Sequence, residues 1–197
     1  MVKKEVPTMR EYLGDEAAEI YERRTGLKKL KQKATLKAIE FLGLKKNSLI
    51  LDAGCGTGWS TEVIQEMGYR VIGFDISKSM LKIARRKGFK VVLCDLRHLK
   101  CFKPNTFDGI ISISALNFIA EGIRGYGNFL KVYRKVAKAF NEILKKKGRV
   151  VIEYYPQSEE ELKASMKAFK LEGFSGGLQI EGYKTRKEQK FLILEKD

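Results

Sequence analysis

The sequence has little of what usually marks metal or nucleophile chemistry. One histidine, His98, serves all 197 residues, so a His-based triad or a multi-His metal site is nearly excluded. The three cysteines are Cys55, Cys94 and Cys101. None stands in a C-x-x-C pair or has a His partner at zinc spacing, so neither a metal site nor a disulfide framework is expected. A sparse, odd count fits a reducing compartment. No apolar run approaches the ~20 residues of a membrane helix. Met1 to Arg10 lacks the apolar stretch of a signal peptide. These absences lead to the expectation of a soluble cytoplasmic protein with no metal and no membrane contact. With three prolines and no long linker, one compact domain over 1–197 is the simplest organisation.

What is present is charge and apolar mass. Hydrophobic residues make up 44% of the chain, which excludes a largely disordered protein. Charged residues reach 32%, and 39 Lys+Arg against 24 Asp+Glu leave a net charge of +15. A Lys/Glu-rich thermophile surface would explain many charges but not the imbalance. An anionic partner, nucleic acid before membrane, does explain it. Seven Lys/Arg and one acid fall between Glu22 and Lys37, and eight Lys/Arg and one acid between Lys131 and Arg149.

Hydrophobic periodicity divides the chain into an N-terminal helical cap, 1–42, and an α/β core, 48–197. Helical spacing runs from 9 to 42, broken at Gly26, with Leu27, Leu30, Ala34, Leu36, Ala38, Ile39, Phe41 and Leu42 as the stripe. Strands are expected at 48–53, 70–74, 90–94, 109–114 and 149–154, with helices at 60–67, 78–87, 128–144 and 159–171. Segments 179–183 and 190–194, joined by the polar KTRKEQ turn, pair as a C-terminal antiparallel hairpin. Strands alternating with helices predict an α/β, doubly wound, Rossmann-like fold with a mostly parallel sheet.

The sharpest motif is Asp52-Ala53-Gly54-Cys55-Gly56-Thr57-Gly58, which leaves a strand and opens a helix. Ligands bind at that mouth in open α/β sheets. Asp75 ends the second strand, where a carboxylate can accept both ribose hydroxyls. The spacing is G-x-G-x-G rather than G-x-G-x-x-G, and no hydride-transfer site is evident, which argues against a nicotinamide enzyme.

This Asp-x-G-x-G-x-G loop resembles motif I of the class I S-adenosylmethionine (AdoMet) methyltransferases, whose sheet has seven strands. The resemblance implies AdoMet as cofactor, with Asp52, Gly54, Cys55, Gly56, Thr57, Gly58, Asp75, Ile76, Met80, Asp95, Leu96 and Ser112 around it. Phe107–Ser112 looks like the fourth strand, whose end lines the reaction site. No Asn/Asp-Pro-Pro-Tyr/Phe turn follows it, which argues against exocyclic amines. No cysteine stands there either, which argues against carbon-5 of cytosine. A ring nitrogen such as guanine N7 has a free lone pair and needs positioning, not a base.

Four further segments narrow the resemblance to the eukaryotic small-subunit (18S) rRNA guanine-N7 methyltransferases. They are Gln32–Ala38 (QKATLKA), Phe107–Phe118 (FDGIISISALNF), Leu144–Pro156 (LKKKGRVVIEYYP) and Gly173–Leu178 (GFSGGL). Asn117-Phe118 stands where that family has Gln-Trp, and its basic C-terminal extension has no counterpart in this sequence. The resemblance implies methyl transfer to guanine N7 in small-subunit ribosomal RNA, with Ser112, Asn117, Tyr154 and Tyr155 positioning the base. Strand alternation allows only one of the two tyrosines to face each side. Ser112 serves either the base edge or an ordinary strand end. Ser175, Gly176 and Gly177 either close over the ligands or form a plain turn. The family also implies a small zinc-binding adaptor protein along the third-strand edge, whose Lys90–Cys94 run is apolar for an exposed edge. A small-molecule methyltransferase and an AdoMet-binding ribosome-assembly scaffold remain the alternatives.

Overall fold

The computed structural model describes residues 14–183 and 188–197. Residues 9–13 of the expected helical cap and 184–187 of the KTRKEQ turn lie outside them. The helices are α1 (Asp15–Glu22), α2 (Thr25–Leu42), α3 (Trp59–Glu66), α4 (Lys78–Arg86), α5 (Tyr126–Ile143) and α6 (Glu159–Leu171). The strands are β1 (Leu49–Ala53), β2 (Arg70–Asp75), β3 (Val91–Leu93), β4 (Phe107–Ile113), β5 (Leu144–Glu153), β6 (Phe174–Glu181) and β7 (Gln189–Lys196). They form one sheet in the order β3-β2-β1-β4-β5-β7-β6. β1 to β5 pair in parallel, and β7 runs antiparallel between β5 and β6. This is the doubly wound sheet with an antiparallel end that the alternation predicted.

The middles of the central strands are apolar because helices cover both faces. Ile50, Leu51, Ile110, Ile111, Val150 and Val151 are all fully buried. On one face α5 packs Phe129, Val132, Val136, Phe140 and Ile143 into the larger core, adding Tyr133. Each such side chain contributes about 1.5–3 kcal/mol of burial. On the other face α2 contributes Ala34, Ala38, Ile39 and Leu42. Leu30 and Leu36, placed in the stripe by spacing, are instead exposed. Small residues on α2 bring its backbone close to the sheet, so its larger off-axis residues stay outside.

Local chemistry sets several helix starts. Ser77 caps α4 by accepting from the Met80 amide, and Ser158 caps α6 by accepting from the Glu161 amide. The helical cap is tied down by charge: Asp15–Lys82 at 2.8 Å, Glu19–Arg86 and Glu22–Lys87 at 2.5 Å join α1 to α4. Tyr21 stacks on Trp59 at 4.3 Å, beside the glycine loop.

Two expectations are corrected. Cys94 and Cys101 are joined by a disulfide, with Cα atoms 6.7 Å apart. The chain after β3 turns back through an Asp95–His98 bridge, which brings together two cysteines that spacing alone did not pair. GFSGGL neither closes over the mouth nor forms a turn. It is the start of β6, and Ser175 pairs with Glu195, which pairs with Arg149 at the start of the core of β5. That is the base of the sheet, opposite the strand ends that carry the glycine loop. The glycines serve pairing: a Cβ on Gly176 would lie 2.1 Å from the Ile193 carbonyl oxygen.

Candidate active site

The site lies at the C-terminal ends of β1, β2, β4 and β5 and has two sides. On the first, β1 delivers the glycine loop. Gly54 has φ +79, and a Cβ there would sit 2.2 Å from the Ala115 Cβ, so the loop can press against the turn after β4 only as glycine. Asp75 holds the loop from the neighbouring strand: its Oδ2 accepts from the Gly56 amide at 2.9 Å and its Oδ1 from the Ser77 amide at 2.8 Å. Burial raises the Asp75 carboxyl above its usual range, and these amides oppose the shift.

Asp52 is fully buried. Its Oδ2 accepts from Ser60 at 2.7 Å and Thr61 at 2.6 Å, fastening the loop to α3. Its Oδ1 is buried with no partner among the described residues. Burial pushes its pKa up to about 6. Cys55 and Thr57 are buried in the loop, and burial raises the Cys55 thiol. Ile76, beyond Asp75, is 42% exposed. Met80 is buried with Ala18 and Ile83 and does not share that open face. Asp95 takes a bidentate contact from Arg97, and Leu96 beside it is partly buried.

On the second side stand the ends of β4 and β5. Ser112 is fully buried and donates to the Ala53 carbonyl at 2.9 Å. It locks β4 to β1, as an ordinary strand-end serine would. Tyr154 is likewise fully buried, its hydroxyl against Ser165 and its pKa pushed up to about 12 by burial. Alternation sends it into the α5–α6 layer, so it is a core residue and not a positioning one. Its neighbour Tyr155 faces the mouth, 37% exposed, with its amide donating to Asn117 Oδ1 at 2.8 Å.

Two residues of this side were not picked out from the sequence. Lys31 reaches from α2 to the Ser114 hydroxyl. Ser114, in the left-handed region at φ 60, donates to Glu153 Oε2 at 2.5 Å, and Lys31 Nζ lies 3.9 Å from the same oxygen. The Tyr155 phenol lies near Glu153, and burial together with that carboxylate raises it. A signal was available: Glu153 interrupts an apolar strand buried on both faces, and such a carboxylate needs partners. Lys31 gave none, being one lysine in a basic run.

The loop fits a nucleoside-bearing sulfonium cofactor. A Cβ on Gly56 would meet nothing within 4 Å, so the turn is open, and Asp52 Oδ1 is an unsatisfied buried acceptor beside it. Parallel sheet, glycine loop and acid-terminated β2 define a class I AdoMet-dependent methyltransferase.

The comparisons agree. Residues 51–152 match the family described as Methyltransferase domain. The chain is 30% identical over 186 residues to the 18S rRNA (guanine-N(7))-methyltransferase bud23 of Schizosaccharomyces pombe, covering 93% of this chain and 69% of that protein. It is 32% identical over 173 residues to the 18S rRNA (guanine(1575)-N(7))-methyltransferase of Saccharomyces cerevisiae, covering 86% and 63%. Among solved structures, a putative S-adenosyl-L-methionine-dependent methyltransferase from Methanococcus maripaludis superposes with TM-score 0.73 at 14% identity, covering 100% of this chain and 97% of that one. The chain belongs to the 18S rRNA guanine-N7 methyltransferase family, and spans about two thirds of the length of these curated relatives. No helix among the described residues is long and apolar enough to cross a membrane, and no group of three or more His, Cys, Asp or Glu among them could hold a metal ion.

Proposed function

We propose that this chain transfers a methyl group from AdoMet to N7 of a guanine in small-subunit ribosomal RNA. The observation that carries the reading is 30% identity to an enzyme of that name along 93% of the chain. The reaction side supports it. N7 has an in-plane lone pair and no proton to lose, so it asks for alignment rather than a base. Glu153, the carboxylate at that mouth, is held by Ser114 and paired with Lys31 and is not a free base.

AdoMet supplies an activated methyl group on a sulfonium. Asp75 would hold its ribose, the open Gly54–Gly58 loop its amino-acid part with Asp52 Oδ1 as acceptor, and Ile76, Asp95 and Leu96 its adenine. Tyr155 would stack on the displaced guanine, which by itself is worth about 1–3 kcal/mol. RNA affinity would come from phosphate contacts. Arg97, Arg124, Lys131 and Lys135 line a pocket of about 370 Å3 at the start of α5, which begins at the same end of the sheet.

The adaptor and the compartment are also proposals. A small zinc-binding protein would add a strand to β3, the sheet edge, where Leu93 is 42% exposed. A cytoplasmic location follows from ribosomal subunits as substrate. The test is transfer of labelled methyl to purified small subunits, with and without such an adaptor, followed by nucleoside analysis. Label in 7-methylguanosine is expected. Label in another nucleoside, or none in any RNA despite AdoMet binding with the adaptor present, would remove the N7 reading.

A further inference from the structure

We propose that Lys31 determines base specificity: its ammonium donates to O6 of the target guanine and so selects guanine over adenine. The inference rests on the guanine-N7 reading above. On the edge of a purine that carries N7, guanine offers two acceptors, N7 and O6, whereas adenine offers an acceptor and the N6 amino donor. N7 must stay free for the methyl group. The neighbouring exocyclic position is then what distinguishes the bases on that edge, and a donor facing it accepts guanine and repels adenine.

At this mouth the Ser114 hydroxyl gives its proton to Glu153 at 2.5 Å, and the Tyr155 phenol lies near the same carboxylate. Lys31 directs one proton at Ser114, and its 3.9 Å approach to Glu153 is too long for a direct hydrogen bond. An ammonium has three protons, so Lys31 keeps donor capacity at a side chain that is 20% exposed. Burial favours its neutral form and Glu153 opposes this, so the carboxylate acts as a positioning residue that keeps the amine charged and in place. A charge-assisted bond to a carbonyl oxygen is among the stronger discriminating contacts available. Asn117 also presents amide protons, but its Oδ1 is committed to the Tyr155 amide, so it serves as the control donor.

The test uses small-subunit rRNA assembled by ligation, with one nucleotide changed at the position the wild-type protein methylates. Inosine keeps O6 and lacks N2; 2-aminopurine keeps N7 and N2 and lacks O6. The wild type should treat inosine nearly as guanosine and lose on the order of 10- to 100-fold in kcat/KM on 2-aminopurine. Lys31→Met should lose a similar factor on guanosine, bring the guanosine to 2-aminopurine ratio close to one, and bind AdoMet as before. Lys31→Met combined with Glu153→Gln leaves no unpaired buried charge and reads the same ratio should the single variant fold poorly. Asn117→Ala should keep the ratio. An unchanged ratio in the double variant, or an inosine substrate as poor as 2-aminopurine, overturns the assignment. A wild type that methylates no rRNA guanine at N7 overturns the function reading itself, and that outcome is separate from the ratio.

Discussion

The two sides of the mouth are built by different means. The cofactor side is made by neighbours in sequence: one glycine loop and the acid that ends the next strand, joined through a backbone amide. The reaction side is made by residues far apart in the chain. Lys31 from α2 meets Ser114, 83 positions later, and Ser114 meets Glu153, 39 further on. A local device repeats across proteins as a motif. A device assembled across three elements varies with each of them, and this is the side that must fit a particular substrate.

The division predicts that the two sides fail separately. Asp75→Ala removes the acceptor for the Gly56 and Ser77 amides and the expected ribose contact. At about 1.5–3 kcal/mol for each bond to a charged group, AdoMet affinity should fall at least about 100-fold by calorimetry. Glu153→Gln should leave that affinity unchanged and lower methyl transfer to rRNA. Equal losses of AdoMet binding in both variants would show one site rather than two sides.

The same contrast explains what was legible in the sequence. The mostly parallel sheet with its antiparallel end follows from periodicity, and the glycine loop from one contiguous motif; the strand order comes from the structure. The face of Tyr154 against Tyr155 was undecided because alternation says that they differ, not which faces inward; packing under α5 and α6 decides it. Ser112 and Met80 were placed near the cofactor by resemblance to the family, with a strand-end or core role as the alternative, and both side chains are buried. GFSGGL was expected either to close over the ligands or to form a plain turn, and it does neither. The close approach of Ile193 to Gly176 shows that pairing demanded a glycine there. The disulfide was missed because a seven-residue separation becomes a contact only when the loop doubles back.

The cofactor side should also reveal itself through pH. Asp52 has a folded pKa of about 6 against ~3.9 unfolded, so between those values the folded state binds more protons. Its contribution is fully present below pH ~4 and is lost as pH rises through 6, about 2–3 kcal/mol in all. Asp52→Asn does not titrate, so its unfolding free energy, measured by denaturant from pH 4 to 7, should fall less steeply than the wild type's. Part of the slope should remain, because Asp75 is raised as well. Parallel curves for the two proteins would place Asp52 outside the pH response.

A smaller effect belongs to the edge of the cofactor side. Cys94→Ser with Cys101→Ser opens a short loop closed by the disulfide, costing about 2 kcal/mol by the loop-entropy argument. Reductant should bring the oxidised wild type to the variant's denaturation midpoint. A variant as stable as the oxidised wild type would mean that the Asp95–His98 bridge already fixes the loop.

The finest division of the two sides is a single hydroxyl. Tyr155→Phe keeps the ring and the backbone bond to Asn117, but removes the hydroxyl beside Glu153. The ring is partly exposed and Glu153 retains Ser114 and Lys31, so stability should change by no more than about 1 kcal/mol. If the hydroxyl fixes the ring for stacking, its loss should raise KM for rRNA a few-fold while kcat and AdoMet affinity hold. Tyr155→Ala, which removes the stacking surface, should cost more on the same axis. A change in AdoMet affinity matching the change in KM would mean that the phenol reaches across the mouth and that the cofactor and reaction sides are coupled through it.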